Sequence, residues 1–207
     1  MSAMTENEPR VAAVLLAAGE STRMHEMKAL LPWLGGRTLL AHQANALAAA
    51  GYEPIVVVLG HLSERLRQEL TGPEPMQIVE NPRYREGRTT SITAGLAVVP
   101  DDVDGVLIVS VDQPRSGALL SRLRDAWLVS RPAIAVPSLD GNAGHPPLFD
   151  TALLPELRAI TEEGQGLREV VSRYRSERML VPVDDPLTLT NLNTREQYEA
   201  ALRLAQA

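Results

Sequence analysis

The residues best suited to chemistry sit close together near the start of the chain. From Leu16 to Lys28 the sequence reads Leu-Ala-Ala-Gly-Glu-Ser-Thr-Arg-Met-His-Glu-Met-Lys. Small residues (Ala17, Ala18, Gly19) are followed by two hydroxyls (Ser21, Thr22) and two cations (Arg23, Lys28). Short side chains let backbone N–H groups approach an anion, and Arg and Lys neutralise the charge the backbone cannot meet. The expected ligand is a phosphate chain, as in a nucleoside triphosphate. The other residues with chemical potential are Asp112 in Asp-Gln-Pro, His145 in Gly-His-Pro, and Asn191 and Asn193, which point to the same side of an extended segment. Asp112 follows the most apolar run in the chain and is the carboxylate best placed to hold Mg²⁺, which takes one or two protein oxygens plus phosphates and water. Its other reading is a helix cap.

The elements that must carry these residues alternate between strand and helix patterns. Strands are expected at Val11–Leu16, Pro54–Leu59, Met76–Val79, Gly105–Val111, Ala133–Val136 and Arg178–Val183. Helices are expected at Thr38–Ala50, Ser63–Leu70, from a cap at Thr89 or Thr90 to about Val98, at Leu119–Val129 and at Arg195–Ala205. After Val136 the rhythm breaks into a Gly- and Pro-rich segment before Leu148-Phe149, with two shorter helices beyond. Such alternation implies right-handed crossovers and an α/β fold: a three-layer, Rossmann-like sandwich with a mainly parallel central sheet. Ligands of such sheets bind outside the carboxyl ends of the strands. That selects Ala17–Lys28, Gly60–His61, Asn81–Ser91, Asp112–Pro114, Gly144–Pro147 and Asn191–Thr194. One domain over residues 10–207 is expected, with residues 1–9 a polar, disordered N-terminus.

The 207-residue chain has no cysteine and a formal net charge of −6. This excludes disulfides and thiolate metal sites and argues against nucleic-acid binding. No signal peptide is recognisable and no apolar run approaches the ~20 residues of a membrane span, so a cytoplasmic protein is expected. There is neither a G-x-x-x-x-G-K-[ST] nor a G-x-G-x-x-G motif. Ala29 stands where a second histidine after His25 would be needed for a zinc-protease motif.

In order and spacing, Leu-Ala-Ala-Gly-x-Ser-x-Arg-Met-x-x-x-Lys resembles the opening signature of the molybdopterin nucleotidyltransferases. The resemblance continues through Leu30-Leu31-Pro32, Asn81-Pro82, Gly87–Gly95, Asp112-Gln113-Pro114, Gly144-His145-Pro146 and Asn191-x-Asn193-Thr194. The Ala-Ala-Gly form and the Asp-Gln-Pro are most similar to the molybdenum cofactor cytidylyltransferases. The resemblance implies a fold like that of the nucleotide-diphospho-sugar transferases. It implies Mg²⁺-dependent transfer of CMP from CTP to molybdopterin or its molybdenum-loaded form, and a molybdenum enzyme as client. Arg23 and Lys28 would act on the reacting phosphates. Leu16, Ala17, Ala18, Gly19, Ser21, Gly60, Asn81, Ser91 and His145 would bind nucleotide or acceptor, and Asp112 and Asn193 the metal. The Ala18 methyl would narrow the base pocket towards a pyrimidine. Two departures stand out: His25 occupies a position usually held by Gly, and Asn191 and Asn193 replace residues that are often Asp. Two other classes stay open, an NAD(P)H-dependent oxidoreductase related to this branch and a non-catalytic cofactor-binding chaperone, as do GTP or another phosphorylated acceptor within the transferase class.

Overall fold

A computed structural model describes residues 9–21, 24, 26–70 and 76–206. Arg23 and His25 therefore lie outside the described residues, as do Thr22 and residues 1–8. Among the described residues the strands are β1 (Val11–Ala17), β2 (Ile55–Leu59), β3 (Met76–Glu80), β4 (Gly105–Ser110), β5 (Ile134–Leu139), β6 (Asn142–Ala143), β7 (Leu148–Asp150) and β8 (Arg178–Pro182). The helices are α1 (Leu39–Ala49), α2 (Ser63–Glu69), α3 (Arg88–Leu96), α4 (Gly117–Ser130), α5 (Leu154–Arg158), α6 (Leu167–Arg173) and α7 (Arg195–Gln206).

β1 is buried along its whole length. Val11, Ala13, Leu15 and Ala17 enter one apolar layer, and Ala12, Val14 and Leu16 the opposite one. Side chains alternate across a strand, so a strand apolar on both faces belongs in the middle of a covered sheet. The first layer is closed by Leu40, Ala44 and Leu47 of α1 and by Leu119, Leu123 and Trp127 of α4. The second is closed by Ile92 and Leu96 of α3, Leu154 and Leu157 of α5 and Val170 of α6. A smaller cluster of Trp33, Leu39, Leu187, Leu192 and Tyr198 fixes α7.

The eight-stranded sheet has the order β3-β2-β1-β4-β7-β5-β6, with β8 pairing β5. β1, β2, β3 and β4 are parallel, with Leu15 opposite Val57 on one side and Val109 on the other. β7 enters antiparallel between β4 and β5, which is where the sequence rhythm breaks. β5 runs past Val136 through Pro137, because β7 pairs with it only at Ile134 and Ala135 and leaves the strand before the proline.

Helix starts follow their caps where a hydroxyl is available. Thr38 Oγ1 accepts from Ala41 N–H and Ser116 Oγ from Leu119 N–H, so α4 starts two residues earlier than its apolar pattern suggests. At α3 neither Thr89 nor Thr90 is the cap. The helix begins at Arg88 after Gly87, whose φ is +124°. Thr89 donates its N–H and hydroxyl to Glu162 Oε1, at 2.6 and 3.0 Å. A distant carboxylate thus takes the place of a local cap and meets the positive end of the helix. A Cβ on Gly95 would lie 2.5 Å from Val14 Cγ1 and 2.8 Å from Val58 Cγ2. Glycine there lets α3 rest directly on β1 and β2, which brings Arg88 to the rim of the crevice.

Candidate active site

The chain leaves β1 through Ala18 and Gly19 into a loop closed by one hydroxyl. Ser21, at φ +55°, accepts the Lys28 backbone N–H on Oγ at 3.0 Å, while its carbonyl accepts Met24 N–H. Lys28 follows in a short 3₁₀ turn and is only 7% exposed. Its ammonium donates to Asp112 Oδ2 at 3.3 Å and to Asn193 Oδ1 at 3.4 Å. Residues 84 and 165 positions apart from Lys28 thus converge on one cation.

Each member of this trio is held by the elements behind it. Val111 N–H donates to Leu16 O, so the ends of β1 and β4 stay in register up to Asp112. Asp112 O accepts Leu192 N–H at 2.8 Å, tying the last loop to the end of β4. Asn191 Oδ1 accepts Gln113 Nε2 at 2.8 Å, while Asn193 Oδ1 faces Lys28. The two asparagines therefore differ, and Asn193 is the one whose oxygen shares a cation with Asp112. Thr194 and Gln197 form the reciprocal N-terminal bonds of a capping box that fixes this turn.

Two cavities meet at the site. The first, about 320 Å³, is lined by Leu16, Ala18, Gly19, Ser21, Lys28, Ser91 and Asp112 among others. The second, about 650 Å³, is lined by His145, Asn191, Asn193 and a group of arginines. Arg88 and Asp112 line both. Of the sequence-selected residues, Ala17, Gly60 and Asn81 stand behind these walls. A Cβ on Gly60 would lie 2.8 Å from the Tyr84 ring and 2.9 Å from Ala18 O, so glycine permits a close approach there. Asn81 is 3% exposed and donates to both Thr90 and Ser91 Oγ while accepting Arg83 N–H. It pins the start of α3 to the end of β3. Asp184 and Asp185 lie apart from Asp112: Asp185 accepts the Ser116 hydroxyl and Leu187 N–H.

Sequence reasoning missed Arg115 and Gln43. Arg115 is 1% exposed, and its guanidinium donates to the carbonyls of Pro114, His145 and Thr190. Gln43 bridges Arg115 N–H and the carbonyls of Ser110 and Gln113. Together they bind three loops of the crevice to one another. Burial pushes the Arg115 pKa down to about 10. The only hint in sequence is an arginine directly after Asp-Gln-Pro. The pKa of His145 is also lowered, first by desolvation within the crevice and then by Arg115 and Arg88, with Asp112 opposing them. His145 is therefore neutral at pH 7.

No group of three or more Asp, Glu or His side chains among the described residues forms a metal cage. A single carboxylate and an amide oxygen converging on one cation instead suit Mg²⁺, a hard ion that keeps water and substrate phosphates as its other ligands. No helix of the described residues is long and apolar enough to cross a membrane.

A largely parallel sheet with an antiparallel insertion and helices on both faces is the nucleotide-diphospho-sugar transferase fold, shared with nucleotidyltransferase structures. Residues 13–179 match the MobA-like NTP transferase domain. The chain belongs to that family and is a nucleotidyltransferase domain. It is 36% identical over 129 residues to the bifunctional protein GlmU of Kineococcus radiotolerans, spanning 60% of this chain and 26% of that protein. The chain thus corresponds to only part of the GlmU proteins it matches. It is 31% identical over 200 residues to nicotine blue oxidoreductase of Paenarthrobacter nicotinovorans, covering 91% of this chain and 95% of that one. In structure it is similar to Rv0371c of Mycobacterium tuberculosis, with TM-score 0.80 and 24% identity over 95% of this chain and 100% of that one. Rv0371c has also been solved as a manganese complex, which matches with TM-score 0.74.

Proposed function

We propose that this protein transfers CMP from CTP to the terminal phosphate of molybdopterin or its molybdenum-loaded form, releasing pyrophosphate. The observation that carries this reading is the convergence of Lys28, Asp112 and Asn193 where two cavities meet. The first cavity takes the triphosphate and the second the acceptor. An acceptor phosphate oxygen forms a bond to the α-phosphorus, the bond to the bridging α,β-oxygen breaks, and its electron pair leaves with pyrophosphate. The acceptor phosphate is ionised at neutral pH, so no side chain has to remove a proton.

The residues of the chain act by positioning and charge. Lys28 and, from the sequence, Arg23 meet the charge that develops on the leaving group. Gly19 and Ser21 shape the loop that holds the β- and γ-phosphates, and Ser91 and Ala18 bound the first cavity. Asp112 and Asn193 would hold Mg²⁺, which neutralises phosphate charge and orients the α-phosphate when bound. The Rv0371c–manganese complex supports a divalent ion in this fold. Neutral His145 presents a polar ring to the acceptor. The protein acts in the cytoplasm and supplies its product to a molybdenum enzyme. Calorimetry with Mg²⁺ tests the nucleotide: CTP binding more tightly than GTP supports the reading, and the reverse order overturns its CTP half.

One finding favours a second reading. A relative that matches along nearly the full length of both chains bears the name nicotine blue oxidoreductase, a name that fits the oxidoreductase alternative. NADPH oxidation in the presence of quinones, without pyrophosphate release from any triphosphate, would establish that reading in place of the transferase.

A further inference from the structure

The chain carries a net charge of −6, yet its second cavity is strongly basic. Four arginines line it, Arg88, Arg168, Arg175 and Arg178, against a single carboxylate, Asp112. Arg168 and Arg175 are seven positions apart, two turns along α6 and its continuation. With Val171 and Ser172 they form the face turned to the cavity.

The opposite side of α6 behaves differently. Arg173 pairs with both Glu156 and Glu169, so its charge is met within the protein. No carboxylate of the described residues lies within salt-bridge distance of Arg88, Arg168, Arg175 or Arg178. The carboxylates whose charge reaches Arg88 are Asp112 and then Glu162, and Glu162 is engaged by the N–H and hydroxyl of Thr89. Arg178 adds a further sign: its Nε is buried without a hydrogen-bond partner among the described residues. A buried donor left unmatched is costly, and guanidinium groups facing one another across a cavity raise its free energy until an anion enters.

A single reacting phosphate does not account for this arrangement. Arg88 lines both cavities beside Asp112, so it is placed for the reacting phosphate. Arg168, Arg175 and Arg178 line the second cavity and not the first. We propose that the acceptor carries a second anionic group, away from its reacting phosphate, which the guanidinium groups of Arg168, Arg175 and Arg178 bind. This rests on the second cavity being the acceptor site. It adds that the site selects acceptors by a second charge. In the acceptor proposed above this second group is the dithiolate or its molybdenum-bound oxyanion, at the far end from the phosphate; a carboxylate, which arginine forks grip through paired hydrogen bonds, serves as its probe.

Two probes test this, 6-phosphogluconate and glucitol 6-phosphate. They share a six-carbon chain and a phosphate, and differ in a carboxylate or a hydroxymethyl group at the far end. Binding of each is measured by calorimetry in the presence of Mg²⁺ and CTP. The wild-type protein is expected to bind 6-phosphogluconate about tenfold more tightly, a difference set by charge-assisted hydrogen bonds to one carboxylate. The variant R168Q/R175Q should reduce that ratio to near one. CTP affinity and the melting temperature report that the variant is folded. Equal binding of the two probes by the wild-type protein, or a ratio that survives in R168Q/R175Q, would overturn the proposal. The transferase reading fails by a different signal, the absence of pyrophosphate release. A preserved probe ratio without pyrophosphate release leaves the two-anion site standing and removes the transferase.

Discussion

The two cavities of the crevice are built on opposite plans. The first takes one wall from the stretch after β1, with Ala18, Gly19 and Ser21 supplying backbone and small side chains and Lys28 a charge, and its other wall from Tyr84, the start of α3 and the end of β4. The second is assembled from β4, the Gly144–Pro147 segment, α6, β8 and the loop before α7, and its charge resides on long arginine side chains. A phosphate chain is common to all nucleoside triphosphates and can be held by backbone geometry. An acceptor must be told apart from other phosphates, and that needs side chains. In the proposed reaction the shared wall, Arg88 and Asp112, is where the triphosphate half and the acceptor half meet.

The largest expected effect is at that wall. Asp112→Asn keeps the shape of the side chain and removes its charge, and should lower pyrophosphate release on the order of 10³-fold in a coupled assay. The melting temperature should move by only ~2 °C. Next in size is the frame behind the second cavity. Arg115→Met leaves the carbonyls of Pro114, His145 and Thr190 without their donor and should cost about 3 kcal/mol in urea unfolding, because the network loses its buried centre. The same variant should raise the Mg²⁺ concentration needed for half-maximal rate, since the Thr190 carbonyl lies next to the loop bearing Asn191 and Asn193.

Smaller effects separate the two cavities further. His42 and His145 both have pKa values below 6.5 in the folded protein, with desolvation the main cause. The unfolded chain therefore binds more protons as the pH falls through 6.5. The stability present above that value should be lost progressively down to the folded pKa values. Urea unfolding between pH 7.5 and 5 measures this loss, and His145→Gln should remove part of the slope. The smallest change is in the first cavity: Ala18→Gly opens the wall by one methyl group. It should raise the GTP-to-CTP ratio of kcat/KM about fivefold, the scale of one methyl contact.

Much of the first cavity was legible because its residues are neighbours in sequence. Gly19, Ser21 and Lys28 appear as a motif, and Asp112 stands at the end of an unbroken apolar strand, so burial itself marked the position. The topology rule also selected Ser91, His145 and Asn193, which line the two cavities. Other parts depended on contacts between distant segments. Glu162 as the cap of α3 and Gln43 as a bridge under β4 leave no local trace. Asn81 was selected as a ligand contact, but its amide is bonded to Thr90 and Ser91 behind the cavity wall. Arg168 and Arg175 belong to no motif in the sequence, and only the packing of α6 and the turn after it on the second cavity distinguishes them from Arg173 on the other side. Arg23 and His25 lie outside the described residues, so their expected places in the loop rest on sequence alone.

The central claim is that one crevice joins a triphosphate to an acceptor phosphate. It is tested most directly by measuring pyrophosphate release from each of the four nucleoside triphosphates with Mg²⁺, with and without molybdopterin. Release from CTP above all others, dependent on molybdopterin and lost in Asp112→Asn, is the expected result. Binding of molybdopterin without pyrophosphate release from any triphosphate would contradict the account.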